Sequence, residues 1–240
     1  MRYGIFGDIH ANLEALEAVF AAMAEERLDE CICLGDIVGY GADPEVCVDR
    51  VRESGALVIA GNHDHAVFGA QELSYFNHHA REAVLWTQSR LSDESKAWLR
   101  SLSLVEHLEG FSVVHGSLHQ PESFNYVQTL KDAETNFRLM PRPLLFLGHS
   151  HYPFAFFDTE PMTYTLEASI PADPRINSVV NVGSVGQPRD ENNRACFAVY
   201  DDIKQEVVLR RIVYDIDKTK EKILAAGLPH ALAERLSYGK

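Results

Sequence analysis

Asp8 with His10, Asp36, Asn62 with His63 and Asp64, His115, and His149 with His151 each stand just beyond a short apolar run. The runs are Tyr3-Gly4-Ile5-Phe6, Cys31-Ile32-Cys33-Leu34, Leu57-Val58-Ile59-Ala60, Phe111-Ser112-Val113-Val114 and Leu144-Leu145-Phe146-Leu147. Carboxylate, amide and imidazole donors in this mixture suit manganese, iron, zinc, cobalt or nickel better than calcium. Asp8, His10, Asp36, Asn62, His115, His149 and His151 are more side chains than one ion with an open position needs. They suffice for two divalent ions if one carboxylate is shared. Such pairs lie about 3.5–4 Å apart and clamp the attacking and leaving oxygens of an in-line displacement. Hydrolysis at phosphorus is therefore the first chemistry to expect.

For that chemistry the five runs must end in one place. Short apolar runs bounded by Gly read as strands covered on both faces. In open α/β sheets the carboxyl ends of the strands line the ligand crevice. Between the first two runs, Leu13, Leu16, Val19, Phe20 and Met23 recur at helical spacing, with Asn12 as the cap. Asp43-Pro44-Glu45 opens a second helix to about Glu53, and Arg81 to Arg100 is helical with a break near Ser92-Asp93. Residues 67–77 read as an irregular connection. Beyond Ser103 strands dominate: a hairpin at 104–114, then runs at 154–157, 162–166, 178–182, 195–200 and 207–213, followed by a helix at 216–226 and a polar tail. Two mixed sheets packed face to face with helices outside, a four-layer α/β/β/α sandwich of the α/β class, leave neither sheet's apolar side exposed. A single domain over residues 1–240 is expected, because α/β domains of this size often stay undivided.

The composition narrows the partners. A formal net charge of −13 leaves no excess of Lys and Arg to track along a nucleic-acid backbone. It does not oppose a phosphate substrate, because two bound cations reverse the local field. No run approaches the ~18 apolar residues of a membrane span. The N-terminus enters a strand directly, without a signal peptide's basic and apolar regions, so a cytoplasmic location is expected. Cys31, Cys33, Cys47 and Cys196 form no Cys-x-x-Cys step and read as buried thiols.

Gly7-Asp8-Ile9-His10, Gly35-Asp36, Gly61-Asn62-His63-Asp64, His115 and Gly148-His149-Ser150-His151, in this order, resemble the signature blocks of the calcineurin-like metallophosphoesterase superfamily. The subgroup most similar is that of the small bacterial and archaeal phosphodiesterases. The resemblance covers Asp8 to His151 and implies the same four-layer sandwich. It implies one metal on Asp8, His10 and His151, a second on Asn62, His115 and His149, and Asp36 bridging them. It also implies a metal-bridging water as nucleophile and His63 beside the phosphate, donating a hydrogen bond to it or a proton to the leaving oxygen. In the superfamily's protein phosphatases the second block continues with a further Asp and an Arg. Here Ile37-Val38-Gly39-Tyr40-Gly41 follows Asp36, which disfavours that subgroup and leaves the orientation of His63 open.

Other residues admit two readings each. Taken singly, Asp8 and Asp36 are also good helix caps. Asp64 either orients His63 or ties down its loop. Asn77 and His79 open a helix whose N-terminus suits phosphate docking, or form a polar cap over it. Arg189, after the Gly-rich stretch Asn181-Val182-Gly183-Ser184-Val185-Gly186-Gln187-Pro188, either grips a phosphate oxygen or pairs with Asp190 or Glu191. The function expected is dinuclear-metal hydrolysis of a small phosphodiester or nucleotide. The alternatives are a catalytically silent metal-binding scaffold for protein partners and, with the charge against it, a DNA-repair nuclease.

Overall fold

A computed structural model describes residues 1–240, with every side chain except that of Tyr75. Strands β1 (Arg2–Phe6), β2 (Glu30–Cys33) and β3 (Leu57–Val58) alternate with helices α1 (Leu13–Glu25) and α2 (Pro44–Glu53). Helices α3 (Asn62–Ala66), α4 (His78–Gln88) and α5 (Asp93–Ser101) follow, then the hairpin β4 (Val105–His107) and β5 (Phe111–Val114). Helix α6 (Leu130–Phe137) precedes β6 (Leu144–Leu147), β7 (Phe154–Phe157), β8 (Thr163–Thr165), β9 (Ser169–Pro171), β10 (Ser178–Asn181), β11 (Ala195–Asp201) and β12 (Glu206–Ile212). Helices α7 (Ile216–Ala225) and α8 (His230–Tyr238) close the chain.

Twelve strands divide into two six-stranded mixed sheets, ordered β3-β2-β1-β11-β12-β9 and β4-β5-β6-β10-β7-β8. Side-chain alternation explains the layering. Ile5, Ile32, Phe111, Phe146 and Ala198 meet between the sheets, whereas their neighbours Phe6, Cys33 and Phe197 face the α1 and α2 side. On the far side, Val114, Leu145, Leu147 and Val179 pack under Ala133 and Phe137 of α6. Each central strand is thus apolar on both faces, the reason its sequence is a continuous apolar run. The expected sandwich is the observed one.

The expected elements recur with small shifts. Asn12 accepts from the Ala15 N–H at 3.1 Å and Ser92 from the Ser95 N–H at 3.0 Å, fixing the starts of α1 and α5. The run ending at Ala60 yields only a two-residue strand, and Asn62 opens a short helix. The tail is a correction. Residues 230–238 form a helix that buries Leu232, Ala233 and Leu236 against Tyr40, Ala80 and Ala83. Its three apolar residues at helical spacing are enough, because α7 and α4 supply the remaining walls.

Candidate active site

The carboxyl ends of β1, β2, β5 and β6, with the start of α3, converge above the two sheets. Ligand atoms of Asp8, His10, Asp36 and His151 all lie within 4.8 Å of one another, as do those of Asp36, His115 and His149. Asp36 belongs to both groups. Asp8, His10, Asp36, His115 and His151 are at most 2% exposed. The backbone is bent to bring them together. Of twelve non-glycine residues with positive φ, seven are Asp8, His10, Ala11, Asp36, Tyr40, His149 and His151. Left-handed backbone is costly outside Gly and persists where the surroundings over-determine it. Glycine makes room for the carboxylates. A Cβ on Gly61 would stand 2.1 Å from Asp36 Oδ1, and one on Gly148 2.5 Å from Asp8 Oδ2.

Each carboxylate is anchored by backbone. The His63 N–H donates to Asp36 Oδ1 at 2.8 Å, while Asp36 Oδ2 faces His115 Nε2 at 3.3 Å and His10 Nε2 at 3.6 Å. The His149 N–H donates to Asp8 Oδ2 at 3.0 Å, and Asp8 Oδ1 faces His151 Nε2 at 3.3 Å. Ser184 Oγ donates to the Asp8 carbonyl at 2.8 Å, and the Val185 and Gly186 N–H groups donate to the Gly7 and Asp8 carbonyls. The Gly-Ser stretch is thereby a clasp on the first block.

The imidazoles show what the site is shaped for. Nδ1 of His10, His115 and His151 lies 3.1, 2.7 and 2.6 Å from the carbonyls of Val38, Leu34 and Gln187. A carbonyl only accepts, so each Nδ1 carries the proton and Nε2 points inward. That is the arrangement by which ligating histidines are oriented. His10 Nε2 and His151 Nε2 approach to 3.0 Å, and His115 Nε2 and Asn62 Oδ1 are buried without a hydrogen-bond partner. Buried polar atoms left unpaired are costly. Divalent cations would satisfy such atoms, so the donor set fits the metals that its chemistry suggests.

Electrostatics agrees. Burial, together with the neighbouring His151, holds His10 well below the usual imidazole range; burial and His115 do the same to His149. Burial would lower His115 too, but the Asp36 carboxylate raises it to about 9. Burial works against ionised Asp36, yet His115 and His63 hold it well below the carboxylate range.

His63 lines the cavity above this cluster, packed between the rings of Tyr40 at 4.5 Å and Phe76 at 4.9 Å, with Gly39 against its Nδ1. These contacts orient the ring in place of a second Asp. Asp64 does not reach it. Both Asp64 oxygens are taken by backbone, Oδ2 by the Asp36 and Gly61 N–H groups at 2.8 and 3.0 Å and Oδ1 by that of Ile37 at 2.9 Å. Of the two readings for Asp64, the geometry matches the loop tie.

The cavity measures about 610 Å³. Asn77 reaches its wall, but its side chain caps α4 through the Ala80 N–H. His79 is a correction: it packs against His78 on the exposed side of α4 and does not line the cavity. Arg189 does line it, with Nη2 on Gln187 Oε1 at 2.8 Å, while Asp190 pairs with Arg211 instead. Phe76, Phe124 and Tyr126 complete the wall and were not singled out by the sequence. Tyr126 stacks on His149 at 3.9 Å.

A family model described as the calcineurin-like phosphoesterase superfamily domain matches residues 1–205. An uncharacterized protein of Methanocaldococcus jannaschii is 38% identical over 242 residues, covering 98% of this chain and 97% of its own. The crystal structure of a metallophosphoesterase from Sphaerobacter thermophilus matches with a TM-score of 0.87 at 36% identity, covering 100% of this chain and 99% of that one. A hypothetical protein from Pyrococcus horikoshii shares the fold, with a TM-score of 0.81 at 20% identity over 100% of this chain and 98% of its own. The chain belongs to the calcineurin-like phosphoesterase superfamily, and it is a hydrolase of phosphoester bonds. Among the described residues, no helix is long and apolar enough to cross a membrane.

Proposed function

We propose that the protein is a dinuclear-metal phosphodiesterase acting on a small phosphodiester of the nucleotide type. The observation that carries this reading is Asp36, common to two groups of ligand atoms in which His10, His115 and His151 are already oriented by backbone carbonyls. Asp8, His10, Asp36 and His151 would hold one ion, and Asp36, Asn62, His115 and His149 the other, with manganese suited to the mixed oxygen and nitrogen donors. When bound, two such ions activate water and neutralise charge developing on the phosphate.

The chain's own residues supply the rest. Burial pushes His63 down to about 4, against the pull of Asp36, so its ring is neutral at neutral pH. It therefore donates a hydrogen bond from its N–H to the phosphate rather than acting as a charged acid. Tyr40, Phe76 and Gly39 hold that ring in place, and Asp64 holds the loop on which Asp36 is presented. Arg189 offers its guanidinium to a non-bridging oxygen. Glu72 and Glu122 line the same cavity. Two carboxylates on the wall of a cavity with a single arginine favour a singly charged diester over a dianionic monoester.

Metal-stripped protein is expected to lose hydrolysis of an aryl phosphodiester and to regain it with manganese. Turnover that continues undiminished after stripping would contradict the proposal.

A further inference from the structure

Tyr126 and Arg189 line more than the cavity over the ligand cluster. Both residues also line a second hollow of about 340 Å³, which reaches Tyr152 and Phe154. Tyr152 and Phe154 in turn line a third, of about 270 Å³, bounded by Phe156, Tyr164 and Leu166. Through these shared residues the three hollows adjoin one another as a trench that leads from the cavity over the ligand cluster toward β7 and β8. Its origin is a gap in the helical layer. Helix α6 packs through Ala133 and Phe137 on residues of β5, β6, β7 and β10, whereas Tyr164 of the edge strand β8 and the following Leu166 stay exposed.

What lines the trench is flat and aromatic. Four described tyrosines are exposed, and three of them, Tyr126, Tyr152 and Tyr164, lie along it at 50%, 40% and 63% exposure, with Leu166 at 56%. Large apolar side chains left open in one continuous line mark a binding surface. A tyrosine stacks a flat ring while keeping its hydroxyl wet. The trench begins at Arg189, where a phosphate would sit, so its occupant is attached to that phosphate. Resting on the phosphodiesterase reading above, we infer that the site takes a diester with two organic arms, and that the trench over Tyr152 and Tyr164 holds one arm by stacking its aromatic base. A nucleoside supplies that chemistry, and stacking platforms of this kind accept any base.

The test compares wild type with Tyr152→Ala, Tyr164→Ala and the double variant, in which every residue of the ligand cluster is retained. A dinucleoside monophosphate is the extended probe, and methyl p-nitrophenyl phosphate the short one. Each tyrosine removed should raise KM for the dinucleoside about 10-fold, within the range of one lost base stack. Turnover of the short diester should change less than twofold. Saturation-transfer NMR should show contact between the bases and wild-type protein, and lose it for one base in the double variant. Should wild type cleave neither diester, the phosphodiesterase reading falls and this inference with it. Should it cleave both while the variants leave dinucleoside KM and NMR contacts unchanged, the trench assignment alone is overturned. Conversion of a dimer to monomer by Tyr164→Ala, with KM unaltered, would likewise overturn it by making the trench an interface between copies.

Discussion

On the floor of the cavity, Asp8, His10, Asp36, His115 and His151 are almost wholly buried, and backbone groups fix each of them. On its walls, Glu72, Asn77, Glu122, Asn125 and Tyr126 are exposed and belong to connections or helix caps. The floor is over-determined, with bent backbone, missing Cβ atoms and paired carboxylates that all serve the same arrangement. The walls are held by few partners. Chemistry that must be placed to a fraction of an ångström falls on the buried, backbone-anchored part, and contacts with a substrate fall on the exposed part.

If that division holds, damage to the floor should outweigh damage to the walls. The largest effect is expected for Asp36→Asn, which removes a charge common to both ligand groups. Hydrolysis of an aryl diester should fall by on the order of 10³-fold, while far-ultraviolet circular dichroism stays unchanged. Gly148 supplies no ligand atom itself, yet a Cβ there, as in Gly148→Ala, would crowd Asp8 Oδ2. Metal affinity measured by titration should fall about 10- to 100-fold, as when a group supporting a ligand is lost. His63→Gln sits at the boundary between floor and wall. It should lower kcat about 100-fold with metal content preserved, a split that would fail if His63 were itself a ligand.

A pH dependence sharpens the same comparison. In the metal-free protein His115 is raised to about 9, so near pH 7 it carries a proton that metal must displace. Affinity for manganese should therefore rise with pH until His115 deprotonates near 9. It should rise less steeply in His115→Gln, a variant that binds more weakly overall. Wall variants such as Glu72→Gln should shift KM by only a few-fold and leave this profile unchanged, which substrate and metal titrations would check.

The floor was legible in the sequence and the walls were not. Each floor residue closes a run whose apolar character is dictated by burial on both faces, so its position survives as a pattern. The partners of the histidines left no trace, because the carbonyls of Leu34, Val38 and Gln187 are carried by every residue type alike. The orientation of His63 was equally hidden. It comes from Tyr40, Gly39 and Phe76, of which Phe76 is thirteen positions away in a segment without periodicity. His79 was misplaced for a related reason, since a helix start does not reveal which side faces the cavity. The last helix escaped because three apolar residues among polar ones look like a solvated tail until α4 and α7 are in place to receive them.

The central claim is that Asp36 stands between two cations, and anomalous diffraction from crystals soaked in manganese tests it most directly. The account predicts two peaks about 3.5–4 Å apart, one bounded by Asp8, His10 and His151, the other by Asn62, His115 and His149, with Asp36 touching both. A single peak, or peaks away from Asp36, would contradict it.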